Sequence, residues 1–177
     1  MEASGRLFGE RGYERTRLDQ VAAAAGVTKP IVYRHFGSKA GLYLALLERH
    51  DRDLDSFVPR MPAKGSPAER LRAVLDAWLD YVEQHAYAWR MLFRDRGGGP
   101  GIEEARLTVH ARARAVLAAL IRDFAEAPIP PLEIEPLAEL MSMGMGSLVL
   151  WWLDDPDVDR DDVLAALTRA WVALLAA

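Results

Sequence analysis

The sequence predicts an all-α protein of about nine helices, in which a small N-terminal head of three helices precedes a larger helical body. Two short helical patterns, joined by Gly26 and Val27, lie within residues 16–39. Downstream, apolar residues recur at helical spacing between breaks rich in proline and glycine, and no stretch has the alternating pattern of a half-buried strand. The expected domains are residues 1–46 and residues 47–177.

The first of the two short helices is predicted to begin at Arg17. Thr16 followed by Asp19 has the pattern of an N-terminal capping box. Gly26 is expected to end the helix, because glycine adopts the left-handed backbone conformation without the steric penalty of a Cβ atom. The apolar residues of this helix share one face: Leu18, Val21, Ala22 and Ala25.

The second short helix is predicted to run from Thr28, its cap, to Gly37. Pro30 is tolerated in the first turn because the amide that proline lacks would have no intrahelical partner there. Val32 and Phe36 lie one turn apart and are expected to pack on the first helix. Together the pair has the pattern of a helix-turn-helix, which presents the start of its second helix to the DNA major groove. We call this pair of helices the elbow.

Caps and apolar faces place the remaining helices. Ser38 is expected to cap the helix after the elbow, and Ser66 with Glu69 predicts a capping box after a linker rich in proline. Residues 97–101, with four glycines and a proline, are predicted to form a mobile loop. The expected helices cover residues 3–11, 38–57, 66–85, 86–94, 102–125, 136–153 and 159–175.

The composition is that of a globular protein, since 51% of the 177 residues are hydrophobic. The chain has no cysteine, which excludes disulfides and fits the cytoplasm that we expect as its location. No apolar run approaches the ~18 residues of a membrane span, so no membrane partner is expected. The net charge of −4 divides into +3 on residues 1–50 and −7 on the remainder. The positive charge therefore accompanies the elbow, as in a DNA-binding head on an acidic body.

The first fifty residues also resemble a known family. The residues in register are Leu7, Phe8, Gly12, Tyr13, Thr16, Leu18, Asp19, Val21, Ala22, Ala25, Gly26, Val27, Tyr33, Arg34, His35, Phe36, Ser38, Lys39 and Leu42. This segment resembles the DNA-binding domain of the TetR family of bacterial transcriptional repressors. The resemblance implies a homodimer joined through the last two helices and a small-molecule pocket in the middle of the chain. The first helix is shorter here than is usual in that family.

The candidate DNA-binding residues surround the second helix of the elbow. Lys29 is expected to donate to guanine O6 and N7, while Pro30 and Ile31 contact a thymine methyl group. Arg34 is expected to reach a base or a phosphate. The residues assigned to phosphate are Arg17, Thr28, Tyr33, His35 and Lys39. The expected DNA partner is a pseudo-palindromic operator, because paired elbows enter successive major grooves.

The dimer interface is predicted in the last two helices. The helix over residues 136–153 is apolar on nearly every side, which favours burial partly in its own core and partly against a second copy. Gly144 and Gly146 would allow a close approach of helices. The candidate interface residues are Met141, Gly144, Met145, Leu148, Trp151, Trp152, Leu164, Leu167, Trp171 and Leu174.

An effector pocket is predicted between about residues 71 and 124, where aromatic residues are frequent and His110 falls within an apolar helical arc. Polar groups on such a face need a partner or a solvent-filled cavity. We expect a small hydrophobic effector, with His110 and Arg114 as polar anchors. The candidate lining residues are Trp78, Tyr81, Val82, Trp89, Phe93, His110, Arg114 and Met143. The alternative interpretation is that these aromatic residues are ordinary core.

Catalysis is not expected. The four histidines, His35, His50, His85 and His110, have no metal-ligand spacing, and the glycine-rich segment lacks the lysine and hydroxyl of a nucleotide-binding loop. No metal or other cofactor is therefore predicted. The alternative function is a helical ligand-binding or protein-interaction module with little DNA binding.

Overall fold

A computed structural model describes residues 1–54, 64–125 and 127–176. Within these ranges the regular elements are nine α-helices and one π-helical turn, with no strand, which confirms the all-α prediction. Their bounds are α1 Glu2–Arg15, α2 Leu18–Ala24, α3 Lys29–Phe36, α4 Lys39–Leu54, α5 Pro67–Gln84, α6 Ala86–Trp89, the π-helical turn Arg90–Arg94, α7 Pro100–Phe124, α8 Pro131–Asp154 and α9 Arg160–Leu175. The extension of the fourth helix to Phe57 and most of the predicted linker lie outside the described residues. No described helix combines the length and apolar composition that crossing a bilayer requires.

The helices form two compact units that are interleaved along the chain. Unit 1 consists of Met1–Asp53 and His85–Val109, and unit 2 of the described parts of Leu54–Gln84 and His110–Ala177. This differs from the two consecutive domains expected from the sequence, because α6, the π-helical turn and the first part of α7 pack with the N-terminal helices. The helix α7 contributes residues to both units.

Two glycines of α1 explain why α6 belongs to unit 1. Gly5 and Gly9 lie one turn apart, and the ring of Tyr87 from α6 occupies the space where a Cβ of Gly5 would be. A Cβ on Gly9 would lie 2.8 Å from the Tyr87 Cα atom. Only glycine at these positions therefore lets the two helices approach this closely.

The helix α1 does not end at Gly12, as the sequence predicted, but bends there and continues to Arg15. Gly12 has φ 76° and ψ 169°, a conformation that favours glycine. The backbone N–H of Tyr13, directly after the bend, donates to Asp95 Oδ2 at 2.7 Å. A side chain distant in sequence thus satisfies the amide at the bend.

The predicted capping box of Thr16 and Asp19 is wrong. Thr16 is buried, and its hydroxyl donates to the carbonyl oxygen of Gly12 at 2.8 Å. Arg17 is the N-cap residue of α2, and its backbone N–H donates to Gln20 Oε1 at 3.2 Å. The threonine therefore holds the end of α1, and the helix begins one residue later than expected.

The expected caps of α4 and α5 are confirmed, and α9 has a cap at Asp159, near the start that the sequence predicted. Ser38 Oγ accepts the N–H of Gly41 at 2.9 Å, and the side chain of Asp159 accepts the N–H of Asp161. At the start of α5, Ser66 N donates to Glu69 Oε2 at 2.8 Å, and Glu69 N donates to Ser66 Oγ at 3.3 Å. The reciprocal pair is the predicted capping box.

In unit 2, α5 packs against α9. Arg160, in the first turn of α9, pairs with Asp76 at 2.8 Å, Asp80 at 2.5 Å and Glu83 at 3.3 Å, which all lie on α5. Buried residues line one face of α5 at helical spacing: Leu71, Leu75, Leu79 and Val82. An apolar face and an ion cluster thus fix the register of these two helices.

The helix α8 begins at Pro131, five residues before the predicted start. Proline at a first helical position is favoured, whereas Pro136 lies inside the helix, where it removes one intrahelical hydrogen bond. One side of α8 is buried and carries Ile134, Ala138, Met145, Val149 and Trp152. The opposite side is exposed, although it is also apolar.

Candidate functional site

The helices α2 and α3 form the predicted elbow. Gly26 has φ 66°, the left-handed conformation that the sequence predicted, and the N–H of Val27 donates to the Ala22 carbonyl oxygen at 3.0 Å. Val21, Ala22 and Val32 are buried where the two helices pack. Ala25, expected on the buried face, is exposed at the turn.

The outer side of the elbow brings most of the candidate DNA-binding residues together. The exposed members are Thr28, Lys29, Pro30, Tyr33, Arg34 and His35, while Ile31 is half-buried. Lys29 Nζ lies 5.7 Å from the centre of the Tyr33 ring. These residues belong to the cap and first two turns of α3, the part of a recognition helix that enters the major groove.

Arg17 already has a carboxylate partner at the start of α2. Its Nε and Nη2 atoms donate to Asp19 Oδ1 at 3.1 Å and Oδ2 at 2.8 Å. The guanidinium lowers the pKa of the Asp19 carboxyl. Because both side chains are exposed, the pair is weak and can exchange for a phosphate at little cost.

Lys39, expected to contact phosphate, ties α4 to α1. Its Nζ atom donates to the carbonyl oxygen of Tyr13 at 2.9 Å and lies 4.2 Å from the centre of the Tyr13 ring. A lysine ammonium has three donors, so a phosphate contact stays possible beside this bond. The side chain nevertheless has a structural role that its position after a helix cap did not indicate.

A buried guanidinium holds the segment after α6. Arg106, whose side chain is 3% exposed, donates from Nε to the Met91 carbonyl oxygen at 3.2 Å. Its Nη2 atom donates to Tyr43 Oη at 3.1 Å and to the Gly97 carbonyl oxygen at 2.6 Å. Its Nη1 atom donates to Glu103 Oε2 at 3.0 Å. The fixed fork of an arginine therefore joins α7 to α4, to the π-helical turn at Met91 and to the segment after that turn at Gly97.

Asp95 carries the network on to α1. Its Oδ2 atom accepts the N–H of Tyr13 at 2.7 Å and the hydroxyl of Tyr43 at 3.0 Å, and lies 3.7 Å from Arg106 Nη2. Burial is the main cause that raises the pKa of Tyr43. The Oδ1 atom accepts the N–H of Gly97 at 3.0 Å. Because the pKa of Tyr43 is raised, its hydroxyl stays neutral and remains a donor to Asp95.

These contacts correct the prediction of a mobile loop over residues 97–101. Gly97 is bonded through both its N–H and its carbonyl group, and residues 100–101 form the first turn of α7. Arg106 was not among the functional residues predicted from the sequence. The available signal was its spacing from Ile102 and Val109, which places a charged side chain on a buried helical face.

The structure divides the candidate effector residues. Trp89 and Phe93 lie in unit 1, and the other six lie in unit 2. The Arg114 side chain is 39% exposed and pairs with Glu139 at 2.8 Å. Met143 is 43% exposed and lies on the outer side of α8. Trp78, Tyr81 and His110 are half-buried, and Val82 is buried.

The candidate dimer residues also separate into two groups. Five are buried within the protomer: Met145, Trp152, Leu164, Leu167 and Trp171. These are core residues, because a side chain such as Trp171, only 1% exposed, has no surface left for a second protomer. Met141, Leu148 and Leu174 are half-buried, and Gly144 and Trp151 are exposed.

The exposed apolar side of α8 includes residues that the sequence analysis did not assign to the interface. Leu132, 91% exposed, and Leu140, 67% exposed, are two such residues, and they share this side with Trp151, a candidate interface residue that is 54% exposed. With Met143 they lie within about a third of the helix circumference. We call these four residues the α8 apolar face.

Comparison with known proteins agrees with this architecture. A family model described as bacterial regulatory proteins of the tetR family matches residues 1–46. A second, described as the C-terminal domain of proteins like the tetracycline repressor, matches residues 67–174. The chain belongs to the TetR family of bacterial regulatory proteins. Members of this family are transcription regulators.

Three similar proteins illustrate the range of the TetR family. The transcriptional activator FasR of Mycolicibacterium smegmatis is 30% identical over 97% of this chain and 80% of its own length. The transcriptional repressor SCO4008 of Streptomyces coelicolor is 32% identical over 52% of this chain and 45% of its own. The structure of FadR from Bacillus subtilis, solved with stearoyl-CoA, has a TM-score of 0.72 over 98% of this chain and 94% of its own. At 17% identity, the likeness to FadR concerns the fold alone.

Proposed function

We propose that this TetR-family protein is a ligand-responsive regulator that binds a pseudo-palindromic operator as a homodimer. The observation that carries the proposal is the α2–α3 elbow, whose outer side exposes Thr28, Lys29, Tyr33 and Arg34 together. Lys29 reads a guanine and Arg34 a base or phosphate, while Pro30 and Ile31 contact a thymine methyl group. Arg17, Thr28, Tyr33, His35 and Lys39 contact phosphates and position the helix.

The α8 apolar face supports the homodimer. Contiguous exposed apolar surface of this kind marks interaction sites in soluble proteins. A two-fold axis beside α8 would pair the face with itself, since the same patch serves both subunits. Trp151 and Gly144 keep their predicted interface role, and Leu132, Leu140 and Met143 join them.

A small hydrophobic effector is proposed to bind in the helical body. The support is the group of half-buried aromatic side chains on α5, Trp78 and Tyr81, in the same unit as His110. The stearoyl-CoA bound by FadR makes acyl-CoA a reasonable first probe. If the effector favours a protein conformation that fits the operator poorly, the effector weakens DNA binding and DNA weakens effector binding by the same factor, typically ~5–150-fold.

We propose repression as the outcome of operator binding, because a bound dimer excludes other proteins from the same DNA. The relationship to FasR, an activator by name, makes activation the second candidate. A promoter–reporter fusion in cells with and without the protein separates the two. Repression predicts a higher signal without the protein, and a lower signal would favour activation.

Binding to DNA from upstream of its own gene tests the proposal. The purified protein should bind a specific site there, with an affinity that falls steeply as salt is raised, because phosphate contacts release counterions. A scrambled site of equal length is the control. Equal binding to both DNAs, or none at low salt, would favour the alternative of a helical ligand-binding or protein-interaction module.

A further inference from the structure

The buried network of unit 1 forms a continuous route from α7 to the elbow. Arg106 contacts Tyr43 Oη and Asp95, and Asp95 accepts the N–H of Tyr13. The carbonyl oxygen of the same Tyr13 accepts a hydrogen bond from Lys39 Nζ. Lys39 is the first residue of α4, three residues after Phe36, the end of α3, and two after its Gly37 cap. The backbone of Tyr13 is therefore held on one side by the α7 network and on the other by α4.

The burial of this network argues for a role beyond stability. Burying a guanidinium costs hydration free energy, and its hydrogen-bond partners compensate for this cost only when the geometry is good. Apolar replacements of such groups are often neutral or stabilising. Ile102 and Val109, on the same face of α7, are buried apolar residues. Another apolar residue between them would extend that face. The arginine instead provides directional bonds, which fix where α7 lies relative to the bend at Gly12.

We propose that Arg106 is a positioning residue for DNA recognition, which acts through Asp95 and Tyr13 to fix the start of α4 and thereby α3. Arg106 is buried and does not contact DNA. Because α7 continues into unit 2, a shift or rotation of α7 would reach the elbow by this route. The inference rests on the proposed function, since it concerns how the recognition helices are held on an operator.

Two variants break the route in different places. Arg106→Lys keeps the charge but loses the fork, and Asp95→Ala removes the carboxylate that accepts the Tyr13 amide. The matched controls are Glu103→Gln, which alters an exposed partner of Arg106, and Arg122→Lys, which alters a surface ion pair of the same helix. If Arg106→Lys fails to fold, Tyr43→Phe removes the central hydroxyl without leaving a cavity.

The first measurement is amide hydrogen exchange in the free protein. In Asp95→Ala the Tyr13 amide should exchange at least about tenfold faster than in wild type, while amides of α2 keep their protection. The controls should match wild type at both places. Unchanged exchange of Tyr13 in Asp95→Ala would overturn the route.

The second measurement is the ratio of affinities for the native operator and for one lengthened by one base pair at its centre. Rigid recognition helices discriminate between the two spacings, so Arg106→Lys and Asp95→Ala should lower the ratio at least about threefold. If both affinities fell by one factor and the ratio stayed constant, Arg106 would be only structural and the inference would be overturned. A wild-type protein that binds no operator would overturn the proposed function and the inference together.

Discussion

Lys29 is the side chain of α3 with the clearest proposed part in base recognition. Lys29→Ala should cost about 1–3 kcal/mol of binding to the preferred operator and relax the preference at one base pair, because the contact is to a base edge. Binding to a panel of operators with single-base changes measures this. Lys64→Ala removes an exposed lysine of unit 2 and is the control. Equal loss of affinity on every operator would instead place Lys29 on a phosphate.

His50 should make stability depend on pH. It is buried, and burial together with the charge of His85 lowers its pKa to about 4. An unfolded histidine has a pKa of about 6.5, so the unfolded state binds the additional proton between these values. Stability is therefore highest above about pH 6.5 and falls as the pH drops towards 4, by up to about 3 kcal/mol.

Urea unfolding at a series of pH values tests the role of His50. In His50→Phe, which keeps a ring beside His85 and Tyr87, this part of the pH dependence should disappear. His35→Ala alters an exposed histidine and should keep it. The assignment to His50 fails if His50→Phe and wild type lose stability in parallel between pH 6.5 and 4.

Sequence patterns predicted single residues best where a local rule decides their role. Gly26, Ser38 and Ser66 have the predicted roles because turns and caps depend on residues within three or four positions. Lys39 has a different role because its partner, the Tyr13 carbonyl group, belongs to another helix, and single-sequence patterns contain no information about such pairs. Thr16 bonds to Gly12, four positions before it, so the local capping rule was applied to the wrong helix end.

The helices α1 and α6 depend on the absence of side chains at their contact. Gly9→Ala should destabilise the protein by about 1–3 kcal/mol, because its Cβ would lie 2.8 Å from the Tyr87 backbone. Gly101→Ala, in the first turn of α7 with open space around it, should be neutral or stabilise by up to about 1 kcal/mol. Urea midpoints of both variants test the contact. Similar midpoints would show that the approach of α1 to α6 tolerates a methyl group.

Helix positions were predicted well where periodicity and caps agree, as in α5 and α9. The sequence did not predict that α8 begins at Pro131, because a cluster of prolines reads equally well as a break and as a helix start. Nor did periodicity distinguish the two apolar sides of α8. Trp152 and Trp151 are neighbours in a helix that is apolar all round, and only the tertiary structure decides which of them is buried.

The proposed dimer should depend on the α8 apolar face. Leu140→Asp should dissociate the dimer at micromolar concentration, because pairing would bury an uncompensated carboxylate on each side of the axis. Sedimentation velocity measures the change. Leu107→Asp, at an exposed leucine of α7 outside this face, is the matched control and should remain dimeric. A Leu140→Asp protein that stays dimeric would place the interface elsewhere.

Packing between helices distant in the sequence limited what could be predicted about the whole molecule. The helical patterns predicted the all-α architecture and the helix-turn-helix, and both are confirmed. The expected boundary after residue 46 follows the chain order. The compact units do not, because Tyr87, Asp95 and Arg106 pack with helices that precede them by 40 residues or more in the sequence. Only long-range contacts reveal such a division.

The interleaving of the two units also affects how this regulator can be recombined with its relatives. A chimaera could take residues 1–46 from this chain and the remainder from another family member. It would separate Gly5 and Gly9 from Tyr87, and the Tyr13 amide from Asp95. An exchange that keeps unit 1 intact needs two crossover segments, residues 1–53 and 85–109. Whoever redirects this protein to a new operator should therefore transplant both segments, or alter only the outer side of α3.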